Sequence, residues 1–473
     1  MRTDLAGVLS PGLVLAMAVA ALGSGCVGTS IRGDLGRLEA LTGRELPENV
    51  LEPVDPVIDE QIETMLEAPL DADRAVRIAL ANNRELRAAL RDLGVERGRV
   101  LQASLLPNPE LEVDFRQQAD PDQPLQIELF AAFELTEALL TPLRVEAASR
   151  DLDAARYRAA GRVLETEYEV RAAFYAAQAA EQRLAVAVRA LDALAAARDA
   201  SNMLYEAGNI PELDLATQIV AYEEGRATTA LLELERASSR ERLNRLLGLH
   251  AGETTWTIAA PLETPDQTEI PEALERAAID ASVELAELRM RLEAIGQRVG
   301  LSRAEGWIPD VTVDVHGEQD GQTWEMGGGA SITLPLFDRN EGTTAAYEAQ
   351  FDALMERYEG AAIDIRSAAR DARNRLTSAQ LRAQQYTGVI VPARQRVFRQ
   401  TLLQYNAMQV GIFELVAALR AQLSAELTSI DAQRDLWTAR AALDALLRGR
   451  RVGTPTFGAT GDMRADEASA GGH

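Results

Sequence analysis

Leu106-Pro-Asn-Pro-Glu-Leu-Glu-Val-Asp-Phe115 and Trp307-Ile-Pro-Asp-Val-Thr-Val-Asp-Val315 share one pattern, a proline followed by alternating apolar and polar residues. Pro109 aligns with Pro309, Leu111 with Val311, Val113 with Val313 and Asp114 with Asp314, all at an offset of 200. Working outward, Tyr205-Glu-Ala-Gly-Asn-Ile-Pro-Glu-Leu-Asp-Leu215 faces Tyr405-Asn-Ala-Met-Gln-Val-Gly-Ile-Phe-Glu-Leu415 at the same offset. Upstream, Glu85-Leu86 faces Glu284-Leu285 at an offset of 199. Agreement at three separate places identifies an internal duplication, which governs the architecture.

Each copy has the same internal order. Helical periodicity over 71–104 carries Ala75, Ile78, Ala79, Leu90 and Leu93 on one face and stops at Pro107 and Pro109. Residues 110–116 and 125–135 alternate in polarity, as strands do, and Ala119-Asp-Pro-Asp-Gln-Pro124 supplies turn chemistry between them. A long helix is predicted over 138–207, with Pro142 in its first turn. Gly208 to Pro211 breaks it, and a last helix reaches Leu249. The second copy repeats this order. A helix over 271–304 precedes strands over 310–317 and 324–336, joined by a turn from Glu318 to Gln322. A long helix over 338–406, kinked at Pro392, leads to a break near Gly411 and a helix to Leu447. At about 1.5 Å per residue the long helix, and the two shorter ones end to end, each span about 100 Å. The expectation is a rod of long antiparallel helices with a two-stranded hairpin at one end, made twice.

Four strands of about 7–13 residues suit a membrane-spanning sheet, but they cannot close a barrel alone. Three copies would give 12 strands. Trp307 and Trp324 flank the second hairpin, where interface aromatics sit in such barrels, and Gly327-Gly-Gly329 suits a strongly bent strand. A helical rod with two small capping hairpins is the competing expectation.

The N-terminus reads as a targeting segment. Arg2 precedes the apolar run from Leu13 to Leu22, which is too short to span a bilayer. Gly23, Ser24 and Gly25 lead to Cys26, the chain's only cysteine, at a position resembling a lipoprotein box. The organisation is a signal peptide 1–25, an anchor and connecting segment 26–70, a first repeat 71–250, a connector 251–270, a second repeat 271–448 and a disordered tail 449–473. A net charge of -25 disfavours nucleic acid. His250, His316 and His473 are far apart in sequence and form no paired catalytic motif. Neither an enzyme nor a cofactor is expected.

These residues resemble the TolC family of outer-membrane efflux proteins. The duplicated unit carries the resemblance, with the turns Tyr205–Leu215 and Tyr405–Leu415 and the closing Leu243-Asn-Arg-Leu-Leu-Gly-Leu249. Ile332-Thr-Leu-Pro-Leu-Phe-Asp-Arg-Asn-Glu-Gly342 is similar to the heavy-metal branch with its CzcC-like subunits. The resemblance covers residues 70–448. It departs at Thr136–Arg144, where relatives have a Gly-rich basic turn, and at Ala417 in the second tip turn. It implies a mainly α, partly β homotrimer, with an α-barrel tunnel below a 12-stranded β-barrel. It also implies a periplasmic adaptor and an inner-membrane pump of the resistance–nodulation–division type. Carried over, Asp214 and Glu414 would ring the periplasmic mouth and draw cations, with Tyr205 and Tyr405 bracing it. Either carboxylate also suits a helix first turn. The alternative function is a structural periplasmic lipoprotein or helical-hairpin adaptor without a pore.

Overall fold

A computed structural model describes residues 32–46, 56–117, 125–262, 270–320 and 323–453. The segment expected to be a signal peptide, Cys26, the turn expected from Ala119 to Pro124 and the residues beyond Gly453 lie outside them. The chain is mostly helical, with one four-stranded sheet. In order come α1 (Arg32–Thr42), α2 (Pro56–Glu67), α3 (Ala72–Asn82), α4 (Arg84–Ser104), β1 (Glu110–Arg116), β2 (Gln126–Glu134), α5 (Leu135–Glu206) and α6 (Glu212–Leu247). The second repeat supplies α7 (Leu274–Ala281), α8 (Val283–Trp307), β3 (Asp310–Asp320), β4 (Thr323–Thr333), α9 (Glu341–Gln385), α10 (Val391–Asn406) and α11 (Ile412–Leu447).

The expected single helices 71–104 and 271–304 are each two. Asn83 ends α3 in an extended conformation and caps α4, its side-chain oxygen accepting from Leu86 N at 2.9 Å. Ser282 does the same between α7 and α8, accepting from Leu285 N. Asx and Ser side chains compete with helix hydrogen bonding and favour caps, which is why the break falls there. The end of the returning helix lands at each break. Asn82 and Asn83 donate to the last carbonyls of α6, at Leu246, Leu247 and Gly248. In the second repeat Val283 N donates to Gly449 O. Two short columns thus join end to end along one long helix, as the length arithmetic requires.

Other boundaries move. α5 begins at Leu135, so Pro142 is its eighth residue and lies past the first turn. The strands of the second hairpin run on to Asp320 and resume at Thr323, tighter than the expected turn over 318–322. The second long helix carries a π-helical turn, Tyr386–Ile390, immediately before Pro392. Residues 449–451, assigned to the tail, are tied down by Arg450 to Glu165 and by Arg451 to Glu284 and Asp364.

The connecting segments pack on the first repeat. Leu35, Leu38, Leu46, Ile62, Trp256 and Leu262 join a core formed chiefly by α3 and α5. The alanine-rich face of α5, including Ala172, Ala173, Ala177 and Ala179, is buried there, so neighbouring helices approach closely. Asp34 of α1 is buried between Arg97 and Arg156. Burial would raise its pKa, but the hydrogen bonds and charges of the two arginines outweigh this and hold it low. Glu167 receives Arg44, Arg171 and Arg448, joining the N-terminal segment, the first repeat and the end of the second.

Candidate functional site

The sheet has order β1-β2-β3-β4, antiparallel throughout, so the two hairpins lie side by side. The register sorts the side chains into two faces, because alternate residues point to opposite sides. Leu111, Ala131, Val315 and Gly328 form one cross-strand row. Val113, Leu129, Gly317 and Met326 form the next, followed by Phe115, Ile127, Gln319 and Trp324. With Phe133, Val311 and Ile332, this face is apolar from strand to strand. It is also open: Leu111 is 73% exposed, Phe115 65% and Met326 67%. The opposite face is acidic, with rows of Glu110, Ala132, Asp314 and Gly329, and of Asp114, Glu128, Glu318 and Glu325. Arg116 bridges to Glu128 at 2.7 Å on that face.

The glycine run acquires a specific reason here. A Cβ on Gly329 would lie 2.7 Å from Asp314 Oδ1, and a Cβ on Gly327 would meet the His316 ring. Both glycines therefore leave room for the Asp314–His316 pair, whose Oδ2 and Nδ1 are 3.2 Å apart. Trp307 and Trp324 stand at opposite ends of β3, the first largely exposed and the second about half exposed.

The other end of the rod holds two nearly identical turns. Gly208 N donates to Tyr205 O and Asn209 N to Leu204 O; Met408 N donates to Tyr405 O and Gln409 N to Gln404 O. Gly208 and Met408 are both left-handed, at φ 70 and 57. Asp214 and Glu414 both fall in a helix first turn. Asp214 is half-buried and Glu414 exposed. Glu414 Oε2 folds back to 3.1 Å from where a Cβ on Gly411 would stand, a position suited to capping. Among the described residues neither carboxylate has an ion-pair partner. The tyrosines differ: Tyr405 packs with Leu194, Ala221, Ile412 and Val416, whereas Tyr205 stays outside that cluster and exposed.

Sequence reasoning missed the residues that tie the two tips together. Arg420 of α11 reaches Glu224 of α6 at 3.2 Å, and within the first tip alone the Arg198 guanidinium of α5 lies 4.1 Å above the Tyr222 ring of α6. Nothing in linear spacing marks pairs 196 residues apart. Among the described residues no group of three His, Cys, Asp or Glu could hold a metal ion, and no helix is long and apolar enough to cross a membrane.

Comparison with known proteins adds to this geometry. The family model described as Outer membrane efflux protein matches residues 274–449. The cobalt-zinc-cadmium resistance protein CzcC of Cupriavidus metallidurans is 23% identical over 381 residues, covering 80% of this chain and 90% of that protein. A membrane protein from Pseudomonas aeruginosa has a similar structure, with a TM-score of 0.70 at 20% identity, covering 80% of this chain and 92% of that one. The Campylobacter jejuni CmeC outer membrane channel follows at 0.68 and 14% identity, with 86% and 90% covered. At these identities the structural likeness fixes the fold.

Proposed function

We infer that this chain is one subunit of a homotrimeric duct through the outer membrane, a reading supported by the match of residues 274–449 to the family model described as Outer membrane efflux protein. The single observation carrying this is the sheet, with one exposed apolar face, one acidic face and unpaired edges at β1 and β4. In water such a sheet would aggregate through its edges and its apolar face. In lipid its edges must be closed by strands from other copies. The apolar face then meets acyl chains and the acidic face lines the lumen.

The duct does no chemistry of its own. Cargo enters from an inner-membrane pump of the resistance–nodulation–division type through a periplasmic adaptor, and it leaves down its gradient. Metal cations are the cargo class favoured by the acidic lumen and by the relative named for cobalt, zinc and cadmium resistance. Asp214 and Glu414, each present three times, add to the negative potential at the periplasmic mouth. Tyr405 braces that mouth by packing; Tyr205 borders it.

Cys26 is proposed as the lipid anchor. Seven residues lie between it and the clamped Asp34, a reach of about 26 Å when extended. Loss of palmitate labelling on Cys26→Ser is the expected result; unchanged labelling would remove this assignment.

The test of the main reading is electrical. Purified trimers in a planar bilayer should conduct, and a salt gradient should give a reversal potential on the cation-selective side. Well-folded trimers that never conduct would overturn it. Glu414→Gln with Asp214→Asn should reduce the cation preference.

A further inference from the structure

On the acidic face of the sheet one histidine stands among carboxylates. Asp314, His316 and Glu318 follow one another along β3 at every second residue, about 7 Å apart, and so share that face. Opposite them on β4 stand Gly329, Gly327 and Glu325. We propose that His316 Nε2 is a ligand for divalent transition-metal ions passing through the lumen, one site per copy on the barrel wall. This rests on the duct reading and narrows its cargo from cations in general to those that take an imidazole.

Three features of the pair support the site. First, the proton is placed. A carboxylate only accepts, so the 3.2 Å contact between His316 Nδ1 and Asp314 Oδ2 puts the neutral ring's hydrogen on Nδ1. Nε2 keeps its lone pair. A carboxylate behind an imidazole fixes the tautomer and raises the basicity of the nitrogen that faces a metal.

Second, the Nε2 end of the ring lies over bare backbone. A Cβ on Gly327 would stand 2.5 Å from Nε2 and 2.9 Å from Cε1. A side chain there would take the space that an ion and its water need. The His316 side chain is 48% exposed and that of Asp314 16%. The ligand end therefore meets water, and the supporting carboxylate is sheltered.

Third, the surroundings carry negative charge without a counterion. Glu318 and Glu325 lie directly opposite each other on β3 and β4, both exposed. Among the described residues neither has an ion-pair partner. Like charges so placed repel, and a dication beside them relieves the repulsion.

The same geometry sets the strength. Among the described residues no three donors converge on one point. Water must complete the shell, so binding is weak and brief. A duct requires this, since a site must be favourable enough to enter and weak enough to leave. Imidazole also selects among dications: it suits zinc, copper and nickel, whereas magnesium and calcium prefer oxygen.

The experiment uses the full-length protein without a polyhistidine tag. Potassium current through trimers in a planar bilayer is measured as zinc or magnesium chloride is added, relative to the same channel before addition. Zinc should reduce the current at lower concentration than magnesium does. His316→Gln should abolish that difference. Asp314→Asn, which weakens the support of the ring, should raise the half-blocking zinc concentration about tenfold. The difference should persist in channels carrying Asp214→Asn and Glu414→Gln. Equal block by the two metals, or a zinc preference that survives His316→Gln, overturns the site and leaves the duct standing. Trimers that never conduct overturn the duct and the lumen with it. Copper(II) electron paramagnetic resonance tests the ligand without a current. His250→Gln/His473→Gln protein, whose one remaining histidine is His316, should show nitrogen coupling from one imidazole per copy, lost when His316→Gln is added. Coupling that is absent, or unchanged by that substitution, overturns the assignment of Nε2.

Discussion

The two repeats share a plan and differ in how each is held. The first is wrapped: α1, α2 and the connector pack on its core, and Asp34 and Glu167 clamp the N-terminal segment to α4 and α5. Among the described residues, the buried core of the second contains none from those segments, and only Ile270, the last residue of the connector, packs against it. Its long helix also carries the π-turn and Pro392, where α5 runs unbroken over 72 residues. A duplicated unit has thus been divided into a braced half and a plainer half, and substitutions can test whether that division is real.

The largest effect should come from the brace. Asp34→Ala leaves two guanidiniums without their shared buried carboxylate, a loss of about 3–5 kcal/mol by analogy with broken buried pairs. Denaturant unfolding should show it in the first repeat. The same brace gives a pH dependence of definite sign. The folded-state pKa values of Asp34 and Glu167 are both depressed, Glu167 despite burial because of Arg44, Arg448 and Arg171. Their contribution is complete above the ordinary carboxyl range, near pH 4, and is lost as pH falls through the lower folded values. Circular dichroism during acid titration should show unfolding begin there, and Asp34→Asn should weaken the dependence. An unchanged acid profile would mean that the brace contributes little.

Next come the joints. At Gly449, φ 102, a Cβ would run into the Ala281 carbonyl, and at Gly248, φ 72, into Asn82. A methyl group is both strained and obstructed at each site, so each Ala variant should cost about 2–4 kcal/mol. Gly449→Ala should cost more, because the atom in its way is backbone, whereas part of the obstruction at Gly248 is the Asn82 amide. Thermal melts of the two variants compare the joints directly; a larger loss at Gly248 would reverse this ranking. The caps are weaker. Ser282→Ala removes one N-cap, about 1 kcal/mol. Asn83→Ala removes a cap and the bridge to Leu246, about 2 kcal/mol.

These residues also mark what the sequence could and could not disclose. Alternation at Leu111, Val113 and Phe115 and the repeat offset were enough to place the strands, since both signals are local or periodic. The apolar and acidic faces follow only once register is known, because a shift of one residue would exchange them. The helix breaks at Asn83 and Ser282 were hidden because a lone Asn or Ser lowers helix propensity too little to mark a break, and the helix end that meets it comes from more than 160 residues away. Asp214 and Glu414 were legible as first-turn acids. The link from Arg420 to Glu224 was not, since it depends on the packing of α11 beside α6.

The smallest effect concerns the tips, where the two repeats are most alike. Both turns need a left-handed residue; the first uses Gly208 and the second Met408. A non-glycine residue in that conformation costs about 1–2 kcal/mol, and replacing it with glycine returns about 1 kcal/mol of chain entropy to the unfolded state. Gly208→Met should therefore cost about 1 kcal/mol, while Met408→Gly should change the stability of an isolated subunit by less than about 1 kcal/mol. Met408 is 94% exposed in one copy, so its side chain has no packing to lose there. Measured on the assembled protein, the same substitution becomes informative. If Met408→Gly leaves the monomer unaffected but lowers the dissociation temperature of the trimer, the methionine side chain is held by a neighbouring chain. Equal, small changes in both would leave backbone conformation as the whole difference between the two tips.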